Sequence, residues 1–120
     1  LYVGRYSAIN PRFTPDYVMH SAATGLLSYS LLRGDTGQVM AFAALRCAGG
    51  VGTVPLIGYD TARPQEEALY CIASHAAAEL ALERGLRFHG SAGASQFKRN
   101  RGARGQIEYM AVYGRHLSAP

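Results

Sequence analysis

A cluster of basic side chains follows a glycine-containing turn near the carboxyl end of the sequence. Four of the chain's twelve basic residues lie within seven positions, with no acid among them: Lys98, Arg99, Arg101 and Arg104. The preceding turn holds Ser91 and Gly93, and such a turn before a helix presents unpaired backbone N–H groups that favour an anion. We therefore predict a phosphate or carboxylate site here. The alternative is a solvated basic face on a short helix.

A second candidate site lies in residues 58–64, between a predicted strand and the longest predicted helix. Ligand crevices are common where the carboxyl end of a sheet strand meets a helix N-terminus. The segment supplies the Asp60 carboxylate and the Arg63 guanidinium. A plain loop with an Asp or Thr cap is the alternative. Glu66 and Glu67 would oppose a diphosphate at that terminus while they stabilise the helix dipole.

Several familiar site patterns are missing from the sequence. The phosphate-loop spacing GxxxxGK[ST] and the nucleophile motif GxSxG are absent, and the four histidines form no HxxxH or HExxH pair. Cys47 and Cys71 are far apart and show no CxxC spacing. We expect no metal site and two buried free thiols in a reducing cytoplasm, with a disulfide as the alternative.

The length and composition of the sequence predict one small folded domain over residues 1–120. The chain is 48% hydrophobic and 17% charged, which is enough apolar material for a core and excludes a disordered tail. No apolar run reaches about 18 residues, so we expect no membrane span. The net charge of +4 is uneven, because residues 1–83 hold five Arg and seven acids, whereas residues 84–120 hold seven basic residues and Glu108. The start at Leu1 without Met leads us to expect a carboxyl-terminal fragment of a longer protein.

Helix and strand signals alternate along the chain. Thr14, Pro15 and Asp16 form a typical helix start, and Gly25 ends that helix. Pro55 inside the third strand predicts an edge, a bulge or a strand opening. The predicted elements are a helix from residue 14, strands at 26–33, 38–47 and 53–58, a long helix at 64–84, a strand at 86–89, a short helix through 97–99 and a last strand at 106–113.

These elements predict an α+β fold. Short turns between the first three strands imply an antiparallel meander. The strand, long helix and strand that follow need a right-handed crossover if the two strands pair in parallel. The expected architecture is a mixed sheet with helices packed on it.

Short residue groups along nearly the whole chain carry a family resemblance. They are Asn10-Pro11 with Phe13-Thr14, Pro55-x-x-Gly58-Tyr59-Asp60, Leu69-Tyr70, Ser91-Ala92-Gly93-Ala94 before Phe97-Lys98-Arg99 and Arg101-Gly102, and Glu108-Tyr109 with Val112-Tyr113. This set of motifs is similar to that of a bacterial group in the GNAT N-acyltransferase superfamily, near the FemAB-type and cellulose-synthesis-associated acetyltransferase-like domains. The resemblance implies a GNAT-like sheet that lacks the N-terminal part of the full fold.

The resemblance also implies a reaction, which is transfer of an acyl or aminoacyl group from a thioester or other activated donor to an amine. Acyl-CoA, such as acetyl-CoA, is the implied donor. Lys98 would then polarise the reacting carbonyl. By residue type, Asp60 and Glu108 are the candidates for the general base, and a structural role is the alternative for each. Residues 58–63 lack the family's diphosphate motif [QR]xxGx[GA]. The implied donor-binding residues are Ile57, Gly58, Tyr59, Arg63, Ser91, Gly93, Phe97, Arg99 and Arg101.

Other functions stay open beside acyl transfer. The missing diphosphate motif favours a GNAT-fold domain that binds a ligand or a partner protein without catalysis, and the basic segment suits surface contact with an acidic partner. The eleven arginines of the sequence suggest nucleic acid as another partner. A single basic cluster without a helix-turn-helix or RNA-stacking motif disfavours that partner, except as a tRNA-linked donor. A homodimer is left open, and we expect a cytoplasmic protein.

Overall fold

The computed structural model describes residues 12–109, 111 and 113. Three helices and four strands follow one another, with a short 3-10 turn before the longest helix. They are α1 (Pro15–Ala23), β1 (Ser28–Arg33), β2 (Val39–Ala48), β3 (Val51–Tyr59), the 3-10 turn (Gln65–Glu67), α2 (Leu69–Glu83), β4 (Arg87–His89) and α3 (Ser95–Arg99).

The four strands form one mixed sheet in the order β1-β2-β3-β4. The pairs β1/β2 and β2/β3 are antiparallel, and β3/β4 is parallel. The antiparallel meander and the parallel crossover through α2 are both confirmed. The fold is α+β, with helices packed on the sheet.

A bulge at Pro55 changes the course of β3. Ala44 faces Leu56 and Arg46 faces Thr53, so the single residue Leu45 lies opposite the two residues Val54 and Pro55. This position confirms the expectation from the sequence, because proline has no N–H to donate to the ladder.

The parallel pairing of β3 with β4 is short, and it positions the candidate site. It begins at Val51 and Arg87 and ends at Thr53 and His89, whereas β3 continues to Tyr59. Within residues 12–109, no strand pairs with this edge of β3 beyond Thr53. The two chains therefore diverge and leave a cleft between the end of β3 and the loop after β4.

Helix α1 begins and ends as its sequence predicts. The Thr14 hydroxyl accepts a hydrogen bond from Tyr17 N at 3.2 Å, and Pro15 occupies the first helical position. Gly25, which follows the C-cap Thr24, has a φ of +69°, the left-handed conformation that glycine adopts most readily.

The core forms where α2 packs against β2 and β3. Ala73 and Ala77 of α2 are buried in one cluster with Ala41 and Ala43 of β2. Ala81, also buried on α2, lies beside Gly52 of β3. Small side chains on both surfaces let the helix lie close to the sheet.

Helix α2 also differs from the sequence expectation in two ways. It begins at Leu69 rather than residue 64, because Ala68 has a left-handed φ of +51° that separates the helix from the 3-10 turn. Apolar residues at three- and four-residue steps along the helix predict a buried stripe that includes Ile72. Ile72 is instead 44% exposed, since the buried face follows every fourth residue from Leu69.

The last predicted strand, residues 106–113, is wrong for the residues that the structure describes. Residues 103–109, 111 and 113 have no strand conformation. Ile107 and Tyr109 are 84% and 93% exposed. The alternating pattern is real, but alternation stabilises a strand only where a neighbouring edge offers hydrogen bonds and an apolar face.

No helix in the described part of the chain combines the length and the apolar character that a membrane crossing requires.

Candidate functional site

A cavity of about 820 Å³ occupies the cleft at the carboxyl end of β3. Its lining residues lie within three stretches: 59–65 after β3, 68–71 at the start of α2, and 92–97 after β4. The sequence predicted a cleft between residues 58–63 and 91–101, and the structure brings these two segments together. Ligand sites in proteins commonly have volumes of roughly 300–1,000 Å³.

One wall of the cavity is a row of aromatic rings. The ring centroids of Tyr59 and Tyr70 are 6.0 Å apart, and those of Tyr70 and Phe97 are 5.2 Å apart. All three side chains line the cavity. The row joins β3, α2 and α3, so it supports the two sides of the cleft against each other.

The row ends at the Arg101 guanidinium, which lies over the Phe97 ring at 3.6 Å from its centroid. Arg101 also donates hydrogen bonds to the Phe97 carbonyl oxygen at 3.1 Å and to Cys71 Sγ at 3.6 Å. These contacts fix a positive charge beside the cavity, because Phe97 and Cys71 both line it.

Asp60 and Arg63 lie on the side of the cavity next to β3. Asp60 Oδ1 accepts a hydrogen bond from Ala62 N at 3.0 Å, which shapes the turn after the strand. Arg63 Nε donates to Glu67 Oε2 at 2.8 Å, and this hydrogen bond and the charge of Glu67 raise the pKa of Arg63. Glu67, expected to oppose a diphosphate, is thus partly neutralised by its neighbour.

The loop after β4 is held in an uncommon backbone conformation. Ser91, Gly93 and Ala94 have left-handed φ angles of +58°, +76° and +45°. The Lys98 ammonium donates hydrogen bonds to the carbonyl oxygens of Ser91 at 2.8 Å and of Ala92 at 2.9 Å. Left-handed non-glycine residues are costly, so these hydrogen bonds help to keep the loop in place.

Glu108 lies in a second contact of the same loop. Its carboxylate is hydrogen-bonded to His89 Nε2 at the end of β4. His89 Nδ1 accepts a hydrogen bond from Ser91 N at 3.3 Å. Glu108 is thereby connected to the loop through His89, and it is not among the residues that line the cavity.

The predicted site residues fall into three groups. Those that line the cavity are Tyr59, Asp60, Arg63, Gly93 and Phe97. Those that border it or support its walls are Ile57, which packs against the core, Gly58, which packs against Phe42, and Ser91, Lys98 and Arg101. Arg99 is exposed on α3, and Glu108 is exposed beside His89.

Sequence reasoning missed Tyr70 and Cys71 as cavity residues. Both lie in the first turn of α2, and no residue type at the break before that turn signals it, because Ala68 adopts a left-handed conformation only as a feature of the backbone. The expectation of two buried thiols is wrong: Cys47 is exposed and Cys71 half-buried, and both are free. Cys47 lies near the end of β2, where the exposed Arg84 side chain donates to its sulfur at 3.4 Å.

Metal ligands are not grouped in the described part of the chain. No set of three or more His, Cys, Asp and Glu side chains among residues 12–109, 111 and 113 could hold a metal ion.

Comparison with known proteins identifies the fold and leaves the family open. No family model matches the sequence, and no curated protein matches it. The structure is similar to the crystal structure of a mutant form of the BH1408 protein from Bacillus halodurans, with a TM-score of 0.66 and 12% sequence identity. The match covers 92% of this chain and 81% of that chain. At this identity it establishes a known α+β fold and no activity.

Proposed function

We propose that this domain is a GNAT-like N-acyltransferase that moves an acyl or aminoacyl group from a thioester or other activated donor to an amine. The observation that carries the proposal is the cavity where β3 and β4 diverge. Their parallel pairing stops at Thr53 and His89, and the open edge of β3 leads into the cavity at Tyr59. An extended donor arm can lie along such an edge.

The chemistry of the cavity fits an acyl-CoA donor. The first turn of α2 lines it with Leu69, Tyr70 and Cys71, and the backbone N–H groups of a first helical turn have no intrahelical acceptor. Arg63 and Arg101 place positive charge at two sides. Apolar and aromatic walls with a few polar groups are typical of small-molecule sites.

Asp60 is the candidate general base, because it is the carboxylate among the cavity residues. In the proposed reaction the amine nitrogen attacks the thioester carbonyl, the C–S bond breaks, and the sulfur leaves as a thiolate. The proton of the amine moves to the Asp60 carboxylate. Lys98, which the family resemblance assigns to the carbonyl, instead donates to two loop carbonyl oxygens.

The test combines donor binding with turnover. We expect CoA and acetyl-CoA to bind in calorimetry, and an amine panel to reveal acyl transfer. Asp60→Asn should lower kcat/KM by about 100-fold or more, whereas Asp16→Asn, exposed in the first turn of α1, should leave it unchanged. If no CoA compound or other activated donor binds, or if Asp60→Asn keeps full activity, the proposal fails.

A specific observation favours a second candidate, a ligand-binding domain without catalysis. Each predicted catalytic side chain already forms a hydrogen bond within the protein. Lys98 donates to the Ser91 and Ala92 carbonyl oxygens. Asp60 accepts from Ala62 N, and Glu108 is hydrogen-bonded to His89. Donor binding without turnover of any amine would support this candidate.

We place either function in the cytoplasm, where the free Cys47 and Cys71 thiols stay reduced.

A further inference from the structure

The loop after β4 presents its carbonyl oxygens to Lys98 on one side and lines the cavity on the other. Lys98 Nζ lies 2.8 Å from the Ser91 oxygen and 2.9 Å from the Ala92 oxygen. Ala92 and Gly93 line the cavity, and Lys98 is not among its lining residues. The ammonium therefore contacts the loop from behind.

Peptide geometry decides what the loop offers to the cavity. In a planar trans peptide the N–H points opposite to the C=O of the same unit. The units whose oxygens bind Lys98 carry the N–H groups of Ala92 and Gly93, so both N–H groups point away from the ammonium. Within residues 12–109, neither N–H donates to a backbone or side-chain acceptor.

The left-handed residues make this arrangement a concave donor site. Ser91 at +58° and Gly93 at +76° flank Ala92, and successive N–H groups next to left-handed residues form anion-binding concavities. We propose that the Ala92 and Gly93 N–H groups form a donor pair for an anionic oxygen in the cavity. Lys98 is the positioning residue that holds this pair from behind, without contact to the ligand.

The anionic oxygen has two possible sources in the proposed reaction, a phosphate of the donor or the oxyanion that develops at the reacting carbonyl. Both take the same two N–H donors. Only the choice between these two sources rests on the proposed function. Any phosphate or carboxylate ligand of the cavity would bind the same two N–H groups.

The experiment exploits Lys98 as the single lysine of the sequence. Labelling with ¹⁵N-lysine gives one side-chain Nζ signal, and uniform labelling reports the backbone amides. On titration with CoA, and separately with inorganic phosphate, the Ala92 and Gly93 amide protons should shift downfield. The Lys98 Nζ signal should stay in place.

Variants at Lys98 complete the test. Lys98→Met should abolish the two amide shifts and weaken the binding of inorganic phosphate about tenfold. Lys98→Arg can still donate to both carbonyls, so it should keep most of the amide shifts and most of the phosphate affinity. The core amides of Leu45 and Ala77 should be unchanged in each variant, which shows that the fold is intact. If Lys98→Met lowers only the affinity for the donor, the anionic oxygen is a phosphate of the donor. If Lys98→Met lowers only kcat, the anionic oxygen is the oxyanion at the reacting carbonyl.

Three outcomes would overturn the inference: direct movement of the Nζ signal by the ligand, amide shifts that persist in Lys98→Met, or unmoved Ala92 and Gly93 amides with both probes. Amide shifts with phosphate in a protein that binds neither CoA nor any acyl donor would reject the proposed acyltransferase and support the donor pair.

Discussion

Gly58 shows how a single residue sets the position of the cavity wall. It is buried in β3 just before Tyr59, and a Cβ built there would lie 2.5 Å from Phe42 Cε1 on the neighbouring strand. The Phe42 ring therefore occupies the space of a side chain, and any residue larger than glycine at this position requires the ring to move.

We predict that Gly58→Ala lowers the free energy of unfolding by about 1–3 kcal/mol, because the Phe42 ring must move. Chemical denaturation measures this change. Gly105→Ala is the matched control, since a Cβ there meets nothing within 4 Å, and it should change stability by less than about 0.5 kcal/mol. Equal effects of the two substitutions would contradict the packing argument.

Residue types predicted one side of the site better than the other. Tyr59, Asp60 and Arg63 could be assigned from sequence because they follow a strand and precede a helix, and chain order alone places them at a sheet end. The contacts of Lys98 could not, because they depend on the backbone angles of the Ser91 loop, which residue types do not specify.

At the scale of elements, an aromatic contact joins α3 to α2. The helix has five residues, and its Phe97 ring packs on Tyr70 of α2 while Arg101 packs on Phe97. Helices this short are marginal without tertiary contacts. Loss of the ring should therefore release the helix from the cavity wall.

We predict that Phe97→Ala increases amide hydrogen exchange across residues 95–99 at least tenfold, with little change in α2. Hydrogen-exchange mass spectrometry resolves the two segments. Phe88→Ala is the control, because Phe88 is 40% exposed on β4 and forms no part of the aromatic row. Unchanged exchange in α3 would show that other contacts hold it.

The close packing of α2 on the sheet gives a second prediction at this scale. Ala77 is 1% exposed, so Ala77→Leu should cost about 1–3 kcal/mol through overpacking. Ala78→Leu, one position along and only half-buried, should cost clearly less. Thermal and urea denaturation compare the two, and a smaller loss at Ala77 would argue against close helix–sheet contact.

Structural features set by a single residue could be predicted from the sequence, whereas the predicted last strand, which needs a second strand to pair with, could not. The cap at Thr14, the stop at Gly25 and the bulge at Pro55 each follow from the chemistry of one residue. Residues 106–109 carry the alternation of a strand but pair with no other strand in the described structure. Pairing is a property of two segments, and the sequence of one segment does not contain it.

At the scale of the whole molecule, charge is separated along the chain. Residues 1–83 have more acids than bases, and residues 84–120 carry seven basic residues against one acid. Arg99, Arg101 and Arg104 are exposed in this basic part, and Arg101 contacts the cavity residues Phe97 and Cys71. An anionic ligand should therefore gain long-range attraction that added salt screens.

We predict that acetyl-CoA binds about tenfold more weakly when ionic strength rises from about 0.05 M to 0.5 M, because the screening length falls severalfold. Acetyl-pantetheine, which lacks the phosphates, is the control and should lose little affinity. Calorimetry at both salt concentrations measures the difference. The same salt response for both donors would mean that the basic part does not attract the phosphates.

The bulge at Pro55 has a consequence for self-association. Beyond Thr53 the open edge of β3 is a template on which a strand from another molecule could add, and exposed edges of this kind promote aggregation. A proline on that edge offers no hydrogen-bond donor and bends the strand. The domain can thus keep a strand edge accessible to a small ligand while it resists growth into intermolecular sheets. Pro55→Val should make concentrated solutions scatter light sooner on warming than the wild-type protein.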